Sequence, residues 1–246
     1  MTFCLGINVD EGLVGVADTR LLVGNEYLTA RKAATYSGPG FSFFVMTSGL
    51  RSVRDKVLLH FDECFARDPQ ARSRLYRVVN LFADQVRRVS NEDREALEGS
   101  SLKFNFHALI GGQTSGDSSH RLFLVYPEGN WVEVGSDTPY QIIGASGYGK
   151  PILERSVNQQ DSILFAFKVA ILAFDATRLC AADVDFPIDV LLYRKGSFEM
   201  VEHRFQRDDL REISEWWQER MRSSVRELPS HWIDRAYSKL TRDVEV

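Results

Sequence analysis

The sequence predicts an α+β fold: two antiparallel sheets packed face to face, with helices covering both outer sides. Three observations lead there. The elements run in the order strands, two helices, strands, two helices, strands, helix, and layering is how such elements bury their apolar sides. FSFFVMTS is a strongly apolar strand that needs cover. With 246 residues, 44% hydrophobic and 26% charged, the chain has an ordinary globular composition and is large enough to bury a sizeable core.

Each element has its own signal. Phe3, Leu5, Ile7 and Val9 are apolar at every second position, DEG supplies turn chemistry, and LVGVAD returns, which is a hairpin. With DEG as a three-residue loop, Val9 opposes Leu13, Cys4 lies across from Asp18 and Thr2 across from Arg20. These four side chains then share one face of the sheet. A two-residue loop shifts the register by one and turns the faces over. The segment YLTARKAATY is expected to run back beside this hairpin. FSFFVMTS, residues 41–48, ends at Gly49, and a helix follows with Val53, Val57, Leu58 and Phe61 at helical spacing.

A second helix carries Leu75, Val78, Val79, Phe82, Val86 and Val89 as its stripe. KFNFHALIGGQ, HRLFLVYPEGN, WVEVG and YQIIG read as a meander with PEGN as a turn, and GGQTSG and YGKP read as turns because neither completes a phosphate-loop pattern. A short helix near PILERSV and a longer one, DSILFAFKVAILAFDATRL, precede two strands, IDVLLYRKG and FEMVEHRF. A final amphipathic helix covers about 208–226, with Trp216 and Trp217 read as core or subunit-contact residues. Nothing reads as a linker or repeat, so 1–246 is expected to be one domain with a helical extension from about 207.

Composition excludes several functions. A net charge of −4 gives no nucleic-acid footprint. The apolar runs are too short to span a bilayer and the start lacks a secretory signal. Cys4, Cys64 and Cys180 fit neither a disulfide framework nor a CxxC pair, so a reducing cytoplasm is expected. His60, His107, His120, His203 and His231 show no ligand spacing, so neither metal nor cofactor is expected.

The candidate site is the start of the chain. Thr2 follows Met1 directly, and Met1 before a small residue is usually removed. A freed Thr2 amine has an ordinary pKa of about 7.7–8.0, so it could take the proton of its own hydroxyl. Lys32 is the candidate cation to lower that value and Asp18 the candidate to hold Lys32. The competing reading is simply the first hairpin of a domain. Cys4 reads as a small buried hydrophobe rather than a reactive thiol.

MTFCLGI, GLVGVADTR, the Arg31-Lys32 pair, MTSGL, IGASGYGKPILER and FPIDVLLY occur in an order and spacing that resembles the bacterial proteasome-like Anbu proteins, relatives of the proteasome β-subunit and of the HslV peptidase. LREISEWWQERMRSSVRELP resembles that family's final helix, so the likeness extends to about residue 232. The resemblance implies the four-layer αββα sandwich of the N-terminal nucleophile hydrolases. It implies Thr2 as nucleophile, Asp18, Arg20 and Lys32 as its charged neighbours, Gly49 as an oxyanion donor through its backbone N–H, and Ser146 as the serine of the GASGYGKP loop. Asp183 and Asp185 lie in the loop where a further supporting acid is expected, with Asp175 a third candidate. Phe186-Pro187 departs from the small residues expected there.

The expected function is a threonine hydrolase cleaving peptide or amide bonds through a Thr2 acyl-enzyme inside a large homo-oligomer. A non-catalytic assembly subunit and a small-molecule amidohydrolase are the alternatives. These motifs encode neither the subunit number, nor ring against helix, nor an unfoldase partner.

Overall fold

The computed structural model describes residues 2–23, 26–233 and 236–238. The strands are β1 (Phe3–Val9), β2 (Gly12–Asp18), β3 (Arg20–Val23), β4 (Glu26–Thr29), β5 (Ala33–Gly38) and β6 (Phe41–Gly49), then β7 (Phe106–Thr114), β8 (Arg121–Val125), β9 (Trp131–Glu133), β10 (Tyr140–Gly144), β11 (Ile188–Arg194) and β12 (Met200–Phe205). The helices are α1 (Arg51–Arg67), α2 (Leu75–Gly99), α3 (Lys150–Ser156), α4 (Ile163–Cys180) and α5 (Arg211–Arg226). Two compact units divide the chain, Met1–Arg207 and Asp208–Val246.

In the first unit one sheet has the order β10-β1-β2-β11-β12 and the other β5-β6-β7-β8-β9. Alternation along β6 shows how the layers form. Phe41, Phe43 and Val45 point to the cluster built with α1 and α2, whereas Phe44 and Met46 point between the sheets, where they meet Cys4, Ala17, Leu109 and Leu191. Because both faces of β6 are covered, the strand reads as one apolar run rather than as an alternation. The α2 stripe Leu75, Val78, Val79, Phe82, Val86 and Val89 is wholly buried. On the far side Phe3 meets Phe174 of α4 with ring centroids 6.0 Å apart. The result is the αββα layering that the element order predicts.

Four expectations are corrected. The first hairpin has a two-residue loop, with Val9 opposite Gly12 and Cys4 opposite Ala17, so Cys4 does not face Asp18. The reason lies in Gly12: a Cβ there would stand 1.9 Å from the Tyr193 carbonyl oxygen, so the glycine serves as a strand residue packed on β11. The segment containing Lys32 does not pair along β1 or β2; β4 pairs with β3, and β5 pairs with β6 in the other sheet. YQIIG leaves the meander and becomes β10, the neighbour of β1. Gly111 to Thr114 continue β7 instead of turning, since a Cβ on Gly112 would meet the Ser42 carbonyl oxygen at 2.3 Å.

In the second unit a 3-10 turn, Asp208–Leu210, leads into α5. No residue of α5 is buried and Trp216 is 53% exposed, so the core reading of the tryptophan pair does not hold.

Candidate functional site

The site forms where β1 begins and β2 ends. Asp18 closes β2 and is fully buried. Its Oδ1 accepts from the Phe3 N–H at 2.8 Å and its Oδ2 from the Arg20 N–H at 3.2 Å. The carboxylate thus binds the residue that directly follows Thr2. Lys32 lies in the irregular stretch between β4 and β5 and is 5% exposed. Its Nζ donates to Asp18 Oδ1 at 2.7 Å and to the Arg20 carbonyl at 2.7 Å.

A buried charge is expensive unless it is paired and hydrogen-bonded, and here each member of the pair has both kinds of partner. Burial pushes the Asp18 carboxyl up from the ordinary carboxylate range, while the Lys32 charge and hydrogen bond, then the N–H groups of Phe3 and Arg20, pull it back. The Lys32 backbone is fixed as well, its carbonyl accepting from Thr47 N–H at 2.9 Å.

Thr2 itself is buried, and its carbonyl accepts from Ala145 N–H at 2.7 Å. Gly144 is the close approach that permits this. Its φ is +91°, and a Cβ would stand 1.8 Å from the Thr2 carbonyl oxygen and 3.3 Å from Ser48 Oγ. Thr2, Ser48 and the end of β10 therefore converge on one glycine. Gly49, next in line, has φ +128° and would drive a Cβ to 2.0 Å from the Asn105 carbonyl oxygen. Its position is exposed, with the backbone turned as only glycine readily allows. Ser146 is exposed one residue beyond the Ala145 anchor. Met1, whose removal the sequence reading expects, lies outside the described residues.

Asp185, one of the three acids, is joined to this cluster. Its Oδ2 lies 3.0 Å from Arg20 Nη1, which also donates to the Ala182 carbonyl at 2.9 Å. Arg207 pairs with the same oxygen of Asp185. Asp175 pairs with Arg178 on α4. Although Phe186-Pro187 departs from the expected small residues, the Pro187 carbonyl accepts from both the N–H and the hydroxyl of Thr19, at 3.0 and 2.7 Å.

Cys4 is fully buried between the sheets with its Sγ 3.7 Å from the Thr47 carbonyl oxygen. Burial pushes its thiol far up, which keeps it protonated and unreactive. Sequence reasoning missed Gly144, Ala145 and Asp185's link to Arg20. The IGAS stretch held the only available signal for the first two. Among the described residues, no group of three or more His, Cys, Asp or Glu could hold a metal ion, and no helix is long and apolar enough to cross a membrane.

The arrangement is similar to solved structures. Anbu, described as an ancestral β-subunit, from Yersinia bercovieri is 29% identical, covers 92% of this chain and 97% of its own, and superposes with a TM-score of 0.84. A helical assembly of the Anbu complex from Pseudomonas aeruginosa is 27% identical over 93% and 97%, with a TM-score of 0.85. An Anbu mutant from a Hyphomicrobium species is 28% identical over 93% and 98%, with a TM-score of 0.84. No protein-family model and no curated protein matches the sequence.

Proposed function

We propose, on the premise that the chain belongs to the Anbu family of proteasome-like proteins, that it is an N-terminal threonine hydrolase acting on peptide or amide bonds within a homo-oligomer. One observation carries the reading. A buried lysine and a buried aspartate meet at 2.7 Å beside the first strand, and the aspartate binds the amide of the residue after Thr2. A hairpin with no chemical task needs no charge pair in that place.

In this mechanism the Thr2 α-amine, once freed, takes the proton of Thr2 Oγ as the oxygen attacks the carbonyl. The Lys32 ammonium favours the neutral amine by charge repulsion, and Asp18 holds the ammonium in place. The Gly49 N–H stabilises the oxyanion, and the amine returns its proton to the leaving group. Water then resolves the acyl-enzyme by the same route in reverse. Arg20, fixed by Asp185, presents the carbonyl that binds Lys32, and Ser146 borders the terminus from the β10 side.

Labelling with a β-lactone or a peptide boronate tests this reading. Wild type should carry the adduct on Thr2, and an adduct on Cys4 or on no residue overturns it. The assembly-subunit reading draws support from the Pseudomonas relative, which is described as a helical assembly. Peptides and small amides offered as alternative substrates separate a peptidase from an amidohydrolase.

A further inference from the structure

Lys32 is held at its ammonium by Asp18 and at its backbone by neighbours on both sides, and one of those neighbours belongs to the helix layer. Ala30 N–H donates to the Thr19 carbonyl at 2.7 Å, and Lys32 accepts from Thr47. Between them the Arg31 carbonyl accepts from Arg54 Nη1 at 3.1 Å.

Arg54 lies in the first turn of α1, just after Gly49, with its N–H donating to the Leu50 carbonyl at 3.0 Å. Its side chain is only 15% exposed although it is charged. Asp55 Oδ1 receives Arg54 Nε at 2.9 Å and Nη2 at 2.7 Å. A guanidinium is a rigid planar fork, so fixing two of its nitrogens orients the third. That third nitrogen meets the carbonyl one residue before Lys32.

We propose that Arg54 is a positioning residue, whose bond to the Arg31 carbonyl sets where Lys32 stands relative to Thr2 and ties it to the end of α1 that follows Gly49. The inference rests on the reading of Thr2 and Lys32 given above. With the bond lost, the stretch 30–32, which lies between β4 and β5 and loses the tie at its middle carbonyl, lets the ammonium drift from the terminus. The Thr2 amine then holds its proton to higher pH.

The test is the rate of Thr2 labelling by a β-lactone as a function of pH, for wild type, Lys32→Ala, Arg54→Ala, Arg54→Lys and Arg54→Gln. Arg54→Ala should slow labelling near neutral pH by about fivefold and move the midpoint of the profile up by about 0.5–1 pH unit, toward that of Lys32→Ala. Arg54→Lys, which keeps a cationic donor, should recover part of both. If Arg54→Ala fails to fold, the lysine and glutamine variants carry the comparison. A midpoint unmoved in every folded Arg54 variant, while Lys32→Ala moves it, overturns this inference alone. A midpoint that Lys32→Ala leaves in place overturns the reading of the site and this inference with it.

Discussion

The ribbon formed by β1 and β2 has two ends, both dense in polar contacts, and they differ in kind. At the turn, Val9 presents its carbonyl to His120 Nε2 at 2.7 Å, Asp10 N–H donates to the Gln159 carbonyl at 2.8 Å, and Glu11 accepts from Ile163 N–H at 2.9 Å. Asp10 and Glu11 are exposed, so water shares the work. At the other end Asp18 and Lys32 are buried, and among the described residues their partners are one another and backbone groups. The number of hydrogen bonds does not distinguish the ends. Charge withheld from water does, and it stands at the end beside Thr2.

Substitutions break the comparison in order of size. Thr2→Ala should abolish electrophile labelling, whereas Cys4→Ala should leave it intact; adduct mapping by mass spectrometry reads both. Asp18→Ala leaves a buried ammonium without its counter-charge, and urea unfolding should show a loss of about 3–5 kcal/mol. Lys32→Ala should slow Thr2 labelling at least about tenfold, because one pKa unit is worth about 1.4 kcal/mol, and raising the pH should restore part of the rate.

The turn end should answer differently. Burial lowers His120 below the ordinary histidine value, so the unfolded chain binds this proton more readily than the folded one. Its share of stability is therefore present above about pH 6.5 and is lost as the pH falls toward the depressed folded value. His120→Gln keeps an N–H for Val9 and should flatten that slope at a cost of about 1 kcal/mol, with labelling unchanged. A labelling defect in His120→Gln would dissolve the contrast between the two ends.

Elements whose signal is local were legible in the sequence. The α2 stripe is carried by helical spacing alone, and every residue assigned to it is buried. The register of the first hairpin was not legible, because it turns on how Gly12 fits against Tyr193, a residue far along the chain. The pairing of Lys32 with Asp18 follows from expecting YLTARKAATY to return toward the first hairpin, and the two side chains do meet. The approach of Lys32 by a crossing between sheets, rather than along β1, could not be read, since β4 and β5 choose partners by long-range packing. Gly144 and Asp185 act through backbone proximity and a loop, and neither leaves a periodic trace.

β1 is an interior strand, bonded to β10 on one side and to β2 on the other. Chain ends ordinarily fray, and their amides exchange with solvent almost as fast as those of an unfolded peptide. Here the amides of Cys4 to Ile7 should exchange only through opening of the sheet, placing them in the slowest class of the molecule. Thr2, two residues ahead of Cys4 and tied through its carbonyl to Ala145, takes on the stillness of a core position. A hydroxyl at such a place loses little orientational freedom when it meets a carbonyl, so the entropy of alignment has already been met by folding.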